Sequence, residues 1–305
     1  MNDRDVDPGR YRIEQAAPRG FTQVYVRENP GGAGPVVLVH GWPETKRIWW
    51  KVIGPLAEAG FEVIAPDLRG FGDSDVAPDG FCDVPSHARD LHALVHDHLG
   101  HDHAVLVGGD LGGPVIQDIA LRFEGFVTRM VLFNSPLPYD PEAMAGLRTR
   151  PPREAGDYFV RQGTDPDGLA AELDSEGKRR RYIATFYTSR FWAHPGAFDD
   201  TSVDFHAEPF ADGAKLRAGF GAYASVFDAS ARSEPPLLGP NPAVETLVLF
   251  GPSDHVLYPD FDRMAAVVFP NHVGPFLLRD CGHFVPWEAP GPLVSAIRTF
   301  GRDLL

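Results

Sequence analysis

Ala104-Val105-Leu106-Val107-Gly108-Gly109-Asp110-Leu111-Gly112-Gly113 is the stretch on which the fold turns. An apolar strand runs into a tight Gly-x-Asp-x-Gly turn, and a helical pattern leaves it. The glycines permit close backbone approach and a strained turn that lifts the central side chain out at the top of a sheet. Turns of this kind usually carry serine at the centre; here the residue is Asp110. A strand–loop–helix turn with a surface aspartate is the plainer alternative, but glycines on both sides of the aspartate fit it less well.

Outward from this turn, the first half alternates short β-branched runs with longer helical patterns. Val36–Val39, Phe61–Ala65, Ala104–Val107 and Met130–Phe133 read as buried strands, with helices expected around 46–59, 86–99 and 113–123. Such alternation predicts a parallel sheet covered on both faces. From 139 to 240 the chain becomes rich in charge, aromatics and proline, helical in period and without a strong strand. Val244–Phe250 then resumes the strand–helix alternation. The expected organisation is therefore one α/β core, residues 1–138 and 241–305, interrupted by a helical cap over 139–240. Such a cap would cover the carboxyl ends of the strands, where open α/β sheets bind ligands.

Two further stations follow the turn in chain order. Val248-Leu249-Phe250-Gly251-Pro252-Ser253-Asp254 ends a strand with an acid, and Leu278-Arg279-Asp280-Cys281-Gly282-His283 places a histidine just past another. Singly each is weak, because a strand-end aspartate commonly just forms a turn. The order nucleophile, acid, histidine after such a turn is much stronger. His283 is expected to be the general base toward water, with Asp254 holding its tautomer. A carboxylate nucleophile changes the chemistry: it displaces leaving groups at saturated carbon and forms an alkyl ester that water must cleave. Epoxides and alkyl halides are the electrophiles that fit. His40-Gly41-Trp42-Pro43-Glu44 follows the Val36 strand. The backbone N–H groups of Trp42 and Leu111 are the expected oxyanion-hole donors, and the bond before Pro43 is a candidate cis peptide.

Composition narrows the partners. The 305 residues are 43% hydrophobic and 23% charged, with a formal net charge of -14. So acidic a chain repels phosphate backbones and anionic lipid, which argues against nucleic acid and membrane partners and for a small neutral substrate. Cys82 and Cys281 are the only cysteines, too few for a disulfide framework. Met1-Asn2-Asp3-Arg4-Asp5 does not begin a secretory signal, and no apolar run approaches the ~18 residues of a spanning helix. A cytoplasmic protein, monomeric or homodimeric and without cofactor, is the expectation.

Over nearly its whole length the chain resembles the epoxide hydrolases of the α/β-hydrolase fold. The resemblance rests on His40-Gly41-Trp42-Pro43-Glu44, on Gly108-Gly109-Asp110-Leu111-Gly112-Gly113 and on Asp280-Cys281-Gly282-His283; Asp67-Leu68-Arg69-Gly70-Phe71-Gly72-Asp73-Ser74 is shared more widely. It implies a mostly parallel eight-stranded sheet flanked by helices, with an inserted helical cap. It also implies two cap tyrosines that protonate the epoxide oxygen. Tyr158, in Gly156-Asp157-Tyr158-Phe159-Val160-Arg161-Gln162-Gly163, matches the first, and Tyr223, in Phe220-Gly221-Ala222-Tyr223-Ala224, the second. Tyr182 and Tyr187 are the fallbacks. Glu44 is either an aid in orienting the hydrolytic water, as the resemblance implies, or a charge at a helix start. The sequence departs from many relatives at Gly109 and Leu111, where those carry histidine and tryptophan.

Two competing functions share these residues. A haloalkane dehalogenase uses the same nucleophile, base and acid, but relatives with that activity hold the halide with an asparagine in the place of Trp42 and a tryptophan in the place of Leu111. A non-catalytic binding protein on the same fold is the other, which a full set of reactive residues disfavours. His92 and His96 have the i, i+4 spacing of a helical metal pair, alongside His98, His101 and His103. At the end of a helix, opposite the nucleophile, they read as surface histidines, so no metal is expected.

Overall fold

The computed structural model describes residues 3–241 and 243–304; Met1 and Asn2, part of the start examined for a signal, lie outside the described residues. Eight strands form one sheet: β1 (Ile13–Ala16), β2 (Gln23–Glu28), β3 (Ala33–Val39), β4 (Phe61–Pro66), β5 (Ala104–Gly109), β6 (Val127–Phe133), β7 (Glu245–Phe250) and β8 (His272–Leu277). Their order across the sheet is β1-β2-β4-β3-β5-β6-β7-β8. β2 is antiparallel to both neighbours, and every pairing from β4 to β8 is parallel. The central strands are buried on both faces, as continuous Val and Leu runs demand. The expected fold, a mostly parallel eight-stranded sheet flanked by helices, is the one observed. β1 and β2 add to the strands legible in the sequence; β1 alternates exposed and half-buried positions and carries no apolar run.

The helices around the sheet are α1 (Ile53–Glu58), α2 (Val84–His92), α3 (Gly112–Arg122), α4 (Arg153–Thr164), α5 (Pro166–Glu172), α6 (Glu176–Thr188), α7 (Asp200–Ala207), α8 (Gly213–Gly219), α9 (Gly221–Phe227), α10 (Phe261–Val268), α11 (Val285–Glu288) and α12 (Pro290–Phe300). Two expected helices are divided. The stretch 46–59 is a 3-10 turn, Lys46–Trp49, followed by α1, since Pro55 has no N–H to continue an unbroken α ladder. The stretch 86–99 begins as α2, capped by the Asp83 carboxylate on the Ser86 N–H, and opens into a π turn over Ala93–His98.

Among the described residues between β6 and β7, regular structure is helical only, from α4 to α9 and two 3-10 turns. The Arg47 guanidinium donates to the Phe205 carbonyl, and the Tyr187 hydroxyl to that of Pro43. The returning segment is tied down by the Ser233 N–H on Asp83 and the Leu237 N–H on Asp118, while Arg122 reaches Glu234. These bonds hold the helical block over the carboxyl ends of β3, β5 and β6. Both cysteines are buried and unpaired, and among the described residues no helix is long and apolar enough to cross a membrane.

The motif Asp67–Ser74 has a structural part. Asp67, fully buried, accepts the Lys46 and Asp73 backbone N–H groups and meets the Lys46 ammonium at 2.5 Å. Breaking a buried pair from one side leaves an uncompensated charge. Lys46→Met is expected to destabilise the protein by about 3 kcal/mol, read as a lowered urea midpoint with an unchanged slope.

Candidate active site

Every expected site residue in the core lies just past the carboxyl end of a strand. Asp110 follows β5 with φ of 44°, in the left-handed region that a non-glycine residue enters only when its surroundings impose it. Its N–H is held by the Asn134 carbonyl at 2.8 Å. A side chain at Gly112 would stand 2.3 Å from the Val39 carbonyl, so the helix can leave the turn only from glycine. At Gly109, where many relatives have histidine, the Phe133 ring lies 2.2 Å from the position of a Cβ and fills the place of a side chain.

Asp110, His283 and Asp254 are brought into one line. The Trp42 N–H donates to Asp110 Oδ1 at 2.7 Å. The other oxygen, Oδ2, stands 3.3 Å from His283 Nε2, close but out of hydrogen-bond alignment. His283 Nδ1 donates to Asp254 Oδ2 at 2.8 Å. Asp254 Oδ1 accepts the Val256 and Leu257 N–H groups, which fixes the carboxylate. All three side chains are buried. Burial on its own pulls the imidazole pKa down, but Asp254 and Asp110 together outweigh it and hold His283 well above the ordinary histidine value.

The Trp42–Pro43 peptide is cis, as anticipated. Glu44 Oε2 accepts the Gly41 N–H at 2.6 Å, and burial pushes this carboxyl up to about 7 against the pull of His283. The Glu44 side chain turns back to the Gly41 amide, while Thr45 caps the turn that follows. His40 accepts the Leu68 N–H on Nε2, and its Nδ1 meets the Gly41 carbonyl at 2.8 Å. Burial lowers it to about 4, so it is neutral and serves to shape the loop. Of the two expected oxyanion donors, Trp42 is bonded to Asp110 in this state. The N–H of Leu111, at the start of α3, makes no hydrogen bond to that carboxylate; its side chain lines the cleft.

Tyr158 from α4 and Tyr223 from α9 meet above Asp110, their rings edge-to-face with centroids 5.8 Å apart. The Trp42 indole stacks on Tyr158 at 5.8 Å and meets Tyr223 edge-on. Burial first, then for Tyr158 the Asp110 charge and for Tyr223 its neighbour Tyr158 and Asp110, push both phenols well above the usual tyrosine value. Both keep their protons. The fallbacks are otherwise engaged: the Tyr182 hydroxyl accepts from Gln162, and that of Tyr187 donates to Pro43.

A cleft of about 1410 Å³ opens above the carboxylate, lined by Asp110, Leu111, Tyr158, Tyr223, Val256 and Leu257 among others. The arginines that the motifs lack arrive from the helical block. Arg161 and Arg232 line the cleft but are engaged by Asp165 and Glu172 and by backbone carbonyls, respectively; Arg150 and Arg153 lie on its outer wall.

The family model described as alpha/beta hydrolase fold matches residues 34–290. The chain belongs to this family. Within it, the soluble epoxide hydrolase of Corynebacterium sp. is 29% identical over 95% of this chain and 97% of the relative. Haloalkane dehalogenase 2 of Mycobacterium bovis is also 29% identical, over 95% and 96%. Among solved structures, the epoxide hydrolase CorEH without ligand superposes with a TM-score of 0.78 at 26% identity, covering 96% of this chain and all of that one.

One residue of this α/β-hydrolase site escaped sequence reasoning. Asn134, just after β6, donates from Nδ2 to Asp254 Oδ2 at 2.9 Å and to the Gly251 carbonyl, and accepts the Gly251 N–H on Oδ1. It ties together the strand ends that carry Asp110 and Asp254. Asn134-Ser135-Pro136 reads in sequence only as a chain break; the sole further signal was a polar residue directly after a buried strand. Because Asp110 is one of the charges that hold the imidazole proton, Asp110→Asn is expected to lower the His283 pKa. NMR titration of the His283 ring against wild type measures this, and an unchanged titration contradicts the coupling.

Proposed function

We propose that the chain hydrolyses epoxides to vicinal diols through an ester formed on Asp110. The single observation that carries this reading is the arrangement around that carboxylate. One oxygen is held by the Trp42 backbone N–H and the other lies 3.3 Å from His283 Nε2, beneath the paired rings of Tyr158 and Tyr223. Relatives named as epoxide hydrolases at full-length coverage support it.

In this scheme Oδ2 attacks an epoxide carbon from behind. The Oδ2–carbon bond forms as the ring C–O bond breaks, and Tyr158 or Tyr223 delivers a proton to the departing oxygen. An alkoxide leaves badly unless an acid neutralises it, and phenols raised by burial are acids that remain loaded at neutral pH. Ester formation removes the Asp110 charge, one of the two causes that hold His283 protonated. The imidazole pKa then falls, its proton leaves to restore the phenol that opened the ring, and a base becomes available. Water, deprotonated by His283 and oriented by Glu44, attacks Cγ. The oxyanion forms on Oδ1, facing the N–H groups of Trp42 and Leu111, and the Cγ–Oδ2 bond breaks to release the diol. Asp254 stabilises the imidazolium, and Asn134 positions Asp254.

We read residues 139–240 as the cap of this site, since they supply both tyrosines and most of the outer wall. The substrate is an uncharged epoxide with water as co-substrate, and the cleft volume, above the usual 300–1,000 Å³ of ligand pockets, suits one with a substantial apolar body. No cofactor, nucleic acid or membrane enters the scheme, in a protein placed in the cytoplasm as monomer or homodimer. The dehalogenase reading keeps support from its relative of equal identity. Against it, Trp42 and Leu111 stand where a halide-holding asparagine and tryptophan are needed.

His283→Gln is expected to trap the ester, visible by intact-mass spectrometry as protein plus epoxide; absence of an adduct with every reactive epoxide in a panel of aliphatic, aryl and cyclic members contradicts the scheme. Single turnover in heavy-oxygen water should give an unlabelled diol, the label entering Asp110. Phenylalanine at both Tyr158 and Tyr223 should lower kcat for epoxides by more than 1,000-fold, in the range expected for lost acid catalysis. Haloalkanes run beside the epoxides decide between the two readings.

A further inference from the structure

The segment that feeds β5 carries a second cluster of ligating side chains, at the opposite end of the sheet from Asp110. We propose that His92, His96 and Asp97 bind a divalent transition-metal ion, zinc foremost. One ligand-type atom from each of the three lies within 4.8 Å of the others. The spacing of the two histidines alone did not favour a metal, because many exposed i, i+4 pairs are only solvated. Three structural facts change the balance.

First, the two imidazoles are direct neighbours, with ring centroids 4.8 Å apart. Second, the pair is held from behind. His92 lies flat on Phe123 at 3.7 Å and edge-on to Phe126, which also meets His96. Aromatic packing fixes the His92 ring and reduces the entropy lost on binding. Third, a carboxylate is already in place, Asp97 Oδ1 lying 2.8 Å from His96 Nδ1. Asp97 reaches this position inside the π turn Ala93–His98, which rotates less per residue than an α-helix and brings adjacent side chains together.

Two imidazole nitrogens and one carboxylate oxygen form a set that zinc, nickel or copper accepts, with water completing the shell. Zinc–ligand bonds of about 2.0–2.2 Å need the three atoms to close by roughly an ångström. The partly exposed side chains of His96 and Asp97 are able to make that move. The ion takes the position between His96 Nδ1 and Asp97 Oδ1, replacing the hydrogen bond that now joins them. Among the neighbouring histidines, His101 is turned to Glu62. The ion would clasp the turn between α2 and β5, a stabilising role remote from the chemistry.

Untagged full-length protein stripped with EDTA is titrated with zinc sulfate by calorimetry. The expected result is one site in the micromolar range, at least ten-fold weaker in His92→Asn/His96→Asn. At saturating metal, Tm of wild type should rise by about 2–5 °C. His96→Asn alone carries the test should the double variant fail to fold, since this ring is partly exposed. Absence of saturable binding below millimolar metal overturns the proposal, as does an affinity that both His96→Asn and the double variant leave unchanged.

Discussion

A buried imidazole held between two carboxylates is the interaction around which this molecule is arranged. His283 hydrogen-bonds Asp254 on one side and faces Asp110 on the other, all three sheltered from water. In so low a dielectric, three charges are tolerated only if the cation sits between the anions and the remaining lone pairs are satisfied. The strand ends provide that satisfaction: backbone N–H groups of Trp42, Val256 and Leu257 and the Asn134 amide all point at the carboxylates. The parallel sheet matters here because it delivers β5, β6 and β7 side by side, with their ends level enough for one asparagine to bridge neighbours.

The same line makes the imidazole's basicity depend on the state of Asp110. While that carboxylate is charged, His283 keeps its proton and is a poor base; with it esterified, one source of stabilisation disappears. In the proposed scheme, ester formation on Asp110 would thereby free His283 to act as the base of the next step. The aromatic layer above works in the opposite sense. Trp42, Tyr158 and Tyr223 pack on one another over the carboxylate, and their burial keeps the phenols protonated as donors. One desolvated space therefore holds two protonated phenols beside the Asp110 carboxyl group.

The helical block is fastened to the core at both ends of its return path, through Tyr187 on Pro43 and through the segment around Ser233 on α2. The Pro43 contact falls within the loop that presents the Trp42 N–H. Packing of the block and geometry of the nucleophile are thereby linked through one backbone segment.

Local sequence determined the aspartate turn, the chain order of Asp110, Asp254 and His283, the parallel sheet and the helical interruption. Each follows from short-range constraints: glycine at a turn that excludes a Cβ, apolar runs of strand length, a helical period. Tertiary structure alone decided the rest. Asn134 became a bridge because β6 lies between β5 and β7, a fact no local pattern contains. Glu44 turned back to the Gly41 amide, and the tyrosines met across α4 and α9 while Tyr182 and Tyr187 found other partners. Such choices depend on which groups share a desolvated space, and that is fixed by long-range packing, where a hydroxyl or carboxyl takes whichever donor or acceptor the folded chain brings within reach.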